Sequence, residues 1–204
     1  MSQLVGLVNY GTAGNIHSVR KALEKAGATV KIINVPEEFK GVSRIVLPGV
    51  GSFKKAMDEL EADGLIDPIK TFPGPILGIC IGMQILGTIG YEGGETTGLG
   101  FINAEVKPMQ CSGKVPHVGF NSIDIIKDSL LFKNIEDASF YFMHSFEVVN
   151  YTDMLSLSEY VGHKFVSAVE SGNIYGVQFH PEKSREAGIQ LFKNFINLQG
   201  EGNE

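Results

Sequence analysis

"GPILGICIGMQIL", Gly74 to Leu86, runs from a strand-like apolar segment into a helix-like one, and Cys80 stands at the junction between Gly78 and Gly82. A Gly-x-Cys-x-Gly junction reads as a strand turning abruptly into a helix, because only small flanking residues let the two elements approach that closely. Upstream, "LVGLVN", "TVKIINV" and "RIVLPGVG" are short strand patterns, with "NIHSVRKALEKAG" and "SFKKAMDELEADG" as helical patterns among them. In the first helix Ile16, Val19, Leu23 and Ala26 recur at helical spacing, and Gly27 supplies the left-handed stop. Successive βα units of this kind predict an α/β fold.

Beyond the Gly-rich "GYEGGETTGLG" the pattern becomes β-rich, through "FINAEVKP", "SFYFMHSFEVV", "FVSAVES" and "IYGVQF", which are expected to add strands to one layer. A final helix is expected after Ser184 as its N-cap, stacking Leu191, Phe192, Phe195 and Ile196 along one stripe. No linker or low-complexity segment divides the chain. With 204 residues and 43% hydrophobic content, residues 1–204 are expected to form a single domain.

Seventeen Lys and Arg against 23 Asp and Glu leave no basic excess to neutralise phosphates, so no nucleic-acid partner is expected. "MSQLVGLVNYG" lacks a basic leader region, and no apolar run is long enough to cross a bilayer, which predicts a cytoplasmic protein without a membrane partner. Cys80 and Cys111 lie in unrelated contexts and form no C-x-x-C pair, so neither a metal site nor a disulfide is expected.

At a helix start the dipole and the free backbone N–H groups favour a thiolate and can receive an oxyanion. On this stretch alone Cys80 reads equally as a nucleophile and as a small buried hydrophobe. A nucleophile needs a base. Of the five histidines, His17 falls in the first helix and His163 in a polar turn, both with surface readings. His180 follows "IYGVQF" and precedes Pro181, at a strand end, where sites in α/β sheets assemble. Glu182, two residues on, lies on the same side of an extended backbone, where its carboxylate can hold one ring nitrogen and leave the other for sulfur. Alone, "FHPEKS" also reads as a capped strand-to-helix turn. With an elbow cysteine it completes a nucleophile, a base and an orienter.

Taken together, "LPGVG", "GICIGMQIL", "EGG…GLG", "VPHVGFN", "FMHSF" and "GVQFHPEKS" resemble, in order and over essentially the whole chain, the class I (triad) glutamine amidotransferases. Within that family the chain looks most like the glutaminase subunits of imidazole glycerol phosphate synthase. The resemblance implies a three-layer flavodoxin-like/Rossmann-like fold, with a central mostly parallel sheet and additional β-strands. It implies an enzyme that releases ammonia from L-glutamine without metal or cofactor, with Cys80 as nucleophile, His180 as base and acid, and Glu182 as the residue holding the imidazole. It implies further that backbone N–H groups of Val50 and Ile81 receive the oxyanion. Gln84, Glu92, His144 and Ser145 would surround glutamine, Glu92 near its α-amino group, while Tyr141 and Phe142 would serve core packing.

The implied partner is a (β/α)8-barrel cyclase of histidine biosynthesis, forming a heterodimer, with Asn15 in the loop "GTAGN" and Lys183 facing it. Two positions depart from the family pattern, of which only the first lies where the family faces its partner. "NYGTAGN" carries Asn9 and an extra residue where the subunits read Asp-Tyr-Gly-x-Gly-Asn, and "VPHVGFN" carries Phe120 where tryptophan is usual. The first departure keeps open a paralogue feeding sugar amidation in surface polysaccharide synthesis; a non-catalytic module binding glutamine or a partner is a separate alternative, which the intact triad disfavours. "GGETT", Gly93 to Thr97, follows Cys80, whereas the glutaminase of pyridoxal phosphate synthase has such a loop before its nucleophile, and "HPE" is missing from DJ-1-type proteins.

Overall fold

The computed structural model describes residues 3–11 and 13–198, without the side chains of residues 13–15. The first half alternates β1 (Leu4–Val8), α1 (Ala13–Lys25), β2 (Thr29–Ile33), β3 (Arg44–Leu47), α2 (Phe53–Ala62), α3 (Ile66–Lys70), β4 (Ile76–Ile79) and α4 (Ile81–Gln84). Shorter strands follow: β5 (Ile89–Gly90), β6 (Thr96–Thr97), β7 (Glu105–Pro108), β8 (His117–Ser122) and β9 (Asp124–Ile125). The chain continues through β10 (Ser139–His144), β11 (Phe146–Val149), β12 (Met154–Tyr160), β13 (His163–Ser171), β14 (Ile174–Val177) and α5 (Arg185–Asn197).

Eight strands form the main sheet in the order β2-β1-β3-β4-β14-β13-β12-β9. From β2 to β14 the pairings are parallel, and from β14 to β9 they are antiparallel. Side-chain alternation along the parallel strands splits the core between two faces. Val5 and Leu7 of β1, Val46 of β3, and Leu77 and Ile79 of β4 join one cluster with Val19 and Leu23 of α1 and Phe192 and Phe195 of α5. Val8, Ile45, Leu47 and Ile76 join the other, with Phe53, Met57 and Leu60 of α2. The result is a three-layer α/β fold, with helices on both sides of a largely parallel sheet.

Two expectations change. The strands of the second half are not confined to one layer: the run "SFYFMHSFEVV" breaks at Ser145, so that β10 pairs with β8 while β11 joins β7, β5 and β6 in a separate sheet. Ser184 stands at the N-cap position of α5 but its hydroxyl does not cap the helix. It donates to His180 O at 2.6 Å and accepts from Tyr141 N at 3.0 Å, which ties the end of the β14 segment to β10.

Candidate active site

Cys80 sits where β4 becomes α4, at φ 53° and ψ −106°, a conformation that a residue with a Cβ adopts only under strain. The flanking glycines make the turn possible. A Cβ on Gly78 would stand 2.4 Å from Gly82 O, and one on Gly82 would stand 1.8 Å from Leu47 O. The parallel neighbours β3 and β14 flank β4, so the elbow lies at the carboxyl edge of the sheet, where the chain segment after β14 also arrives.

That segment carries His180 and Glu182. The His180 Nδ1–H donates to Glu182 Oε1 at 2.8 Å, and both side chains are fully buried. The expected geometry differs in one respect. β14 closes at Val177, and Pro181–Lys183 form a 3-10 turn rather than extended backbone. Proline, with its fixed φ and missing N–H, favours the first position of such a turn, and the turn brings the Glu182 carboxylate back to its own histidine. Burial disfavours the imidazolium, but the attraction of Cys80 and Glu182 outweighs it and raises the His180 pKa to about 10. The Nε2 atom makes no well-formed hydrogen bond among the described residues.

A pocket of about 200 Å³ opens over Cys80. It is smaller than the roughly 300–1,000 Å³ of sites for drug-sized ligands, a scale suited to one amino acid. Val50, Ile81, Gln84, Glu92, His144 and Ser145 all line it. Neither Val50 nor Ile81 donates its N–H in a backbone hydrogen bond among the described residues. Tyr10, wholly buried, donates its hydroxyl to Pro48 O in the loop that carries Val50. Burial above all, then Cys80 and Glu59, raise the Tyr10 pKa, so the hydroxyl stays a donor. Glu92 Oε2 accepts from Phe53 N at 2.7 Å, so this carboxylate also holds the start of α2.

His144 pairs with His117 in the β10–β8 ribbon, and the two rings meet at 3.1 Å between His144 Nε2 and His117 Nδ1. Since a carbonyl only accepts, the 2.9 Å contact to Phe146 O places the hydrogen on His144 Nδ1. His144 Nε2 is then the acceptor for His117. Burial lowers both pKa values, that of His144 to about 4, so both rings are neutral near pH 7.

Other placements differ from expectation. Asn15 falls in the first turn of α1 rather than in a loop, and its side chain lies outside the described residues. His163 begins β13, and its Nε2 contacts both carboxylate oxygens of the buried Glu147, at 2.8 and 2.9 Å. Phe142 is fully buried, but Tyr141 is only partly so: it stacks edge-on with Phe120 at 5.6 Å, under Lys183 Nζ at 5.4 Å. Reasoning from sequence passed over Gln178. This residue is fully buried and lies 3.6 Å from Cys80 Sγ. A polar side chain inside the apolar run "IYGVQF" was the available signal.

A larger, open cleft of about 420 Å³ lies elsewhere, beside Phe120, Ser184 and Arg185, and contains none of the pocket residues around Cys80. The strained cysteine stands in the smaller one.

A model of the glutamine amidotransferase class-I family matches residues 7–198. The chain belongs to this family. Among similar proteins, subunit HisH 1 of imidazole glycerol phosphate synthase from Campylobacter jejuni (strain RM1221) is 43% identical over 202 residues, covering 96% of this chain and 100% of that protein. The HisH subunit from Archaeoglobus fulgidus is 40% identical over 197 residues, covering 96% and 98%. Of solved structures, PurLQS from Thermotoga maritima aligns with a TM-score of 0.75 at 20% identity, covering 97% of this chain and 99% of that chain. A GMP synthase protein from Thermoplasma acidophilum aligns with a TM-score of 0.74 at 24% identity, covering 96% and 93%. At those identities the two structures bear on the fold alone.

Proposed function

We propose that this amidotransferase is the single-domain glutaminase subunit of an imidazole glycerol phosphate synthase, hydrolysing L-glutamine and passing the ammonia to a barrel cyclase in cytoplasmic histidine biosynthesis. The observation that carries the chemistry is a cysteine in a strained elbow, under an amino-acid-sized pocket, with a buried His180–Glu182 pair beside it. The pathway is supported by the HisH relatives, which match at 40–43% identity over nearly their whole length. Among the described residues no helix is long and apolar enough to cross a membrane.

In this reading the raised pKa of His180 keeps it an imidazolium at neutral pH, paired with the Cys80 thiolate. The thiolate attacks the side-chain carbonyl carbon of glutamine, and the electron pair displaced onto oxygen is received by the N–H groups of Val50 and Ile81. His180 gives its proton to the departing nitrogen as the tetrahedral intermediate collapses to a thioester and ammonia. A water molecule then loses a proton to His180 and adds to the thioester. Expulsion of the thiolate gives glutamate and restores the ion pair. Gln84, Glu92, His144 and Ser145 hold the substrate over the sulfur.

The docking face is assigned to the surface just past the catalytic glutamate. Lys183 is exposed over Tyr141, the Arg185 guanidinium lies 4.6 Å from the Phe120 ring centroid, and Val118 and Phe120 are 53% and 44% exposed. Aromatic rings and arginine are enriched at protein interfaces. Asn15 belongs to this face by the family pattern.

Co-purification with a barrel cyclase tests the reading. Turnover of glutamine by the isolated chain is expected to be slow and to rise strongly when the cyclase and its nucleotide ligand are added. Cys80→Ala is expected to abolish glutamine-dependent product while sparing the use of added ammonium at alkaline pH. Given to a host lacking both subunits, the chain and its cyclase are expected to restore growth without histidine. Rescue of a sugar-amidation pathway instead would move the acceptor while leaving the glutaminase chemistry in place.

A further inference from the structure

Gln178 is buried to 0% exposure, two residues before His180, and no step above uses it. It bridges the nucleophile and the pocket wall. Its Nε2 lies 3.6 Å from Cys80 Sγ, and its Oε1 accepts from Gln84 Nε2 at 3.0 Å. Gln84 Nε2 also donates to Phe146 O at 3.2 Å. An amide end is often ambiguous, but here one atom settles the whole chain. Phe146 O is a backbone carbonyl and only accepts, so the Gln84 NH2 group must face it. Gln178 must then turn its oxygen toward Gln84 and its NH2 group toward the sulfur. Reversing Gln178 would set NH2 against NH2 at one end and oxygen against sulfur at the other.

Two consequences follow from that polarity. The sulfur has a second polar neighbour, Met143 O at 3.9 Å, which as an acceptor engages only the protonated thiol. The Gln178 amide, a donor, engages the thiolate. At the other end Gln84 Oε1 is buried and has no partner among the described residues, on a side chain that is 1% exposed and lines the pocket. A buried acceptor of this kind is costly unless it is given a donor, and N–H groups of an amino-acid substrate are suitable donors.

We propose that Gln178 is a positioning residue that locks Gln84 with its side-chain oxygen presented to the substrate while donating its own amide hydrogen to the Cys80 thiolate. The inference rests on the glutaminase reading for its substrate, but its geometry rests on the relay Phe146–Gln84–Gln178–Cys80 alone. By tying the substrate arm to the nucleophile it couples binding with sulfur reactivity.

The test uses the full chain, with the unbranched replacements Gln178→Met and Gln84→Met and the double variant. Alkylation of Cys80 by iodoacetamide, which needs neither glutamine nor partner, is expected to slow about tenfold in Gln178→Met, the size of one hydrogen bond to a charged group. It is also expected to slow in Gln84→Met, because Gln178 loses its anchor; this arm stands even where Gln178→Met folds poorly. With the cyclase bound, each single variant is expected to raise the KM for glutamine by about tenfold, and the double variant by no more than either alone. Unchanged alkylation in either single variant, or strictly additive effects on KM, overturns the relay. Glutamine turnover by Cys80→Ala would instead overturn the glutaminase reading, while the alkylation arms still decide on Gln178.

Discussion

Replacing Glu182 separates its charge from its hydrogen bond. Its Oε1 accepts from His180 Nδ1 at 2.8 Å with both side chains at 0% exposure, so solvent does not screen the pair. A hydrogen bond to a charged group contributes about 1.5–3 kcal/mol, roughly twice a neutral one. Glu182→Gln keeps an acceptor but loses the charge, so about half, ~0.75–1.5 kcal/mol, is forfeited. That corresponds to a kcat/KM about 4- to 13-fold lower. Glu182→Ala loses the whole contact and also leaves a buried N–H unpaired, which predicts a drop of about 10²–10³-fold. Stability should follow the same pair. His180 is held above its ordinary 6.5, at about 10, so the stabilisation it carries is full below its ordinary value and is lost as pH rises through about 10. The thermal midpoint of Glu182→Gln should therefore fall below that of the unsubstituted protein at pH 7, and the gap should close toward pH 10. Steady-state glutaminase assays with the cyclase bound and thermal melts across that range are the measurements. A Glu182→Gln protein with unchanged kcat/KM and an unchanged midpoint at pH 7 would refute the role given to the carboxylate.

His180→Asn is expected to be as inactive as Cys80→Ala in the same assay, because the variant lacks the proton donor for the leaving ammonia; residual activity near that of Glu182→Gln would contradict this. Gly82→Ala places a Cβ 1.8 Å from Leu47 O, so calorimetry should record a loss of about 1–3 kcal/mol and a displaced elbow with reduced turnover. An unchanged midpoint would mean that the strand and helix are not pressed together there. Cys111→Ser should leave turnover within about twofold, as expected of a substitution away from the chemistry, since this thiol is only partly buried and meets the Gly113 carbonyl oxygen at 3.8 Å.

What could be read from the sequence was local. Glycines two residues either side of Cys80 marked a tight junction, and the structure gives the reason in the approach of Gly82 to the Leu47 carbonyl. Alternating βα patterns were enough for the α/β class, while the three layers followed from the family resemblance. Side-chain partners were less legible. The serine before α5 has the composition of a cap, but a nearby backbone carbonyl and N–H, those of His180 and Tyr141, compete for its hydroxyl. Glu182 was placed beside His180 by the period of a strand, whereas the 3-10 turn at Pro181 is what brings them together. Gln178 and Gln84 are 94 positions apart in the chain, and no local pattern reports a bond closed by tertiary folding. The same holds for His117 and His144, which meet only because β8 and β10 pair in register.

Turnover of glutamine through a covalent bond to the Cys80 sulfur requires that atom to be the one a substrate-like reagent captures. Incubation with a glutamine-shaped electrophile, followed by intact mass and peptide mapping, tests that requirement directly. One adduct per chain is expected, on the Cys80 peptide, formed in step with loss of glutaminase activity and slowed by excess glutamine. An adduct confined to Cys111, or full turnover by a chain whose Cys80 is already modified, would contradict it.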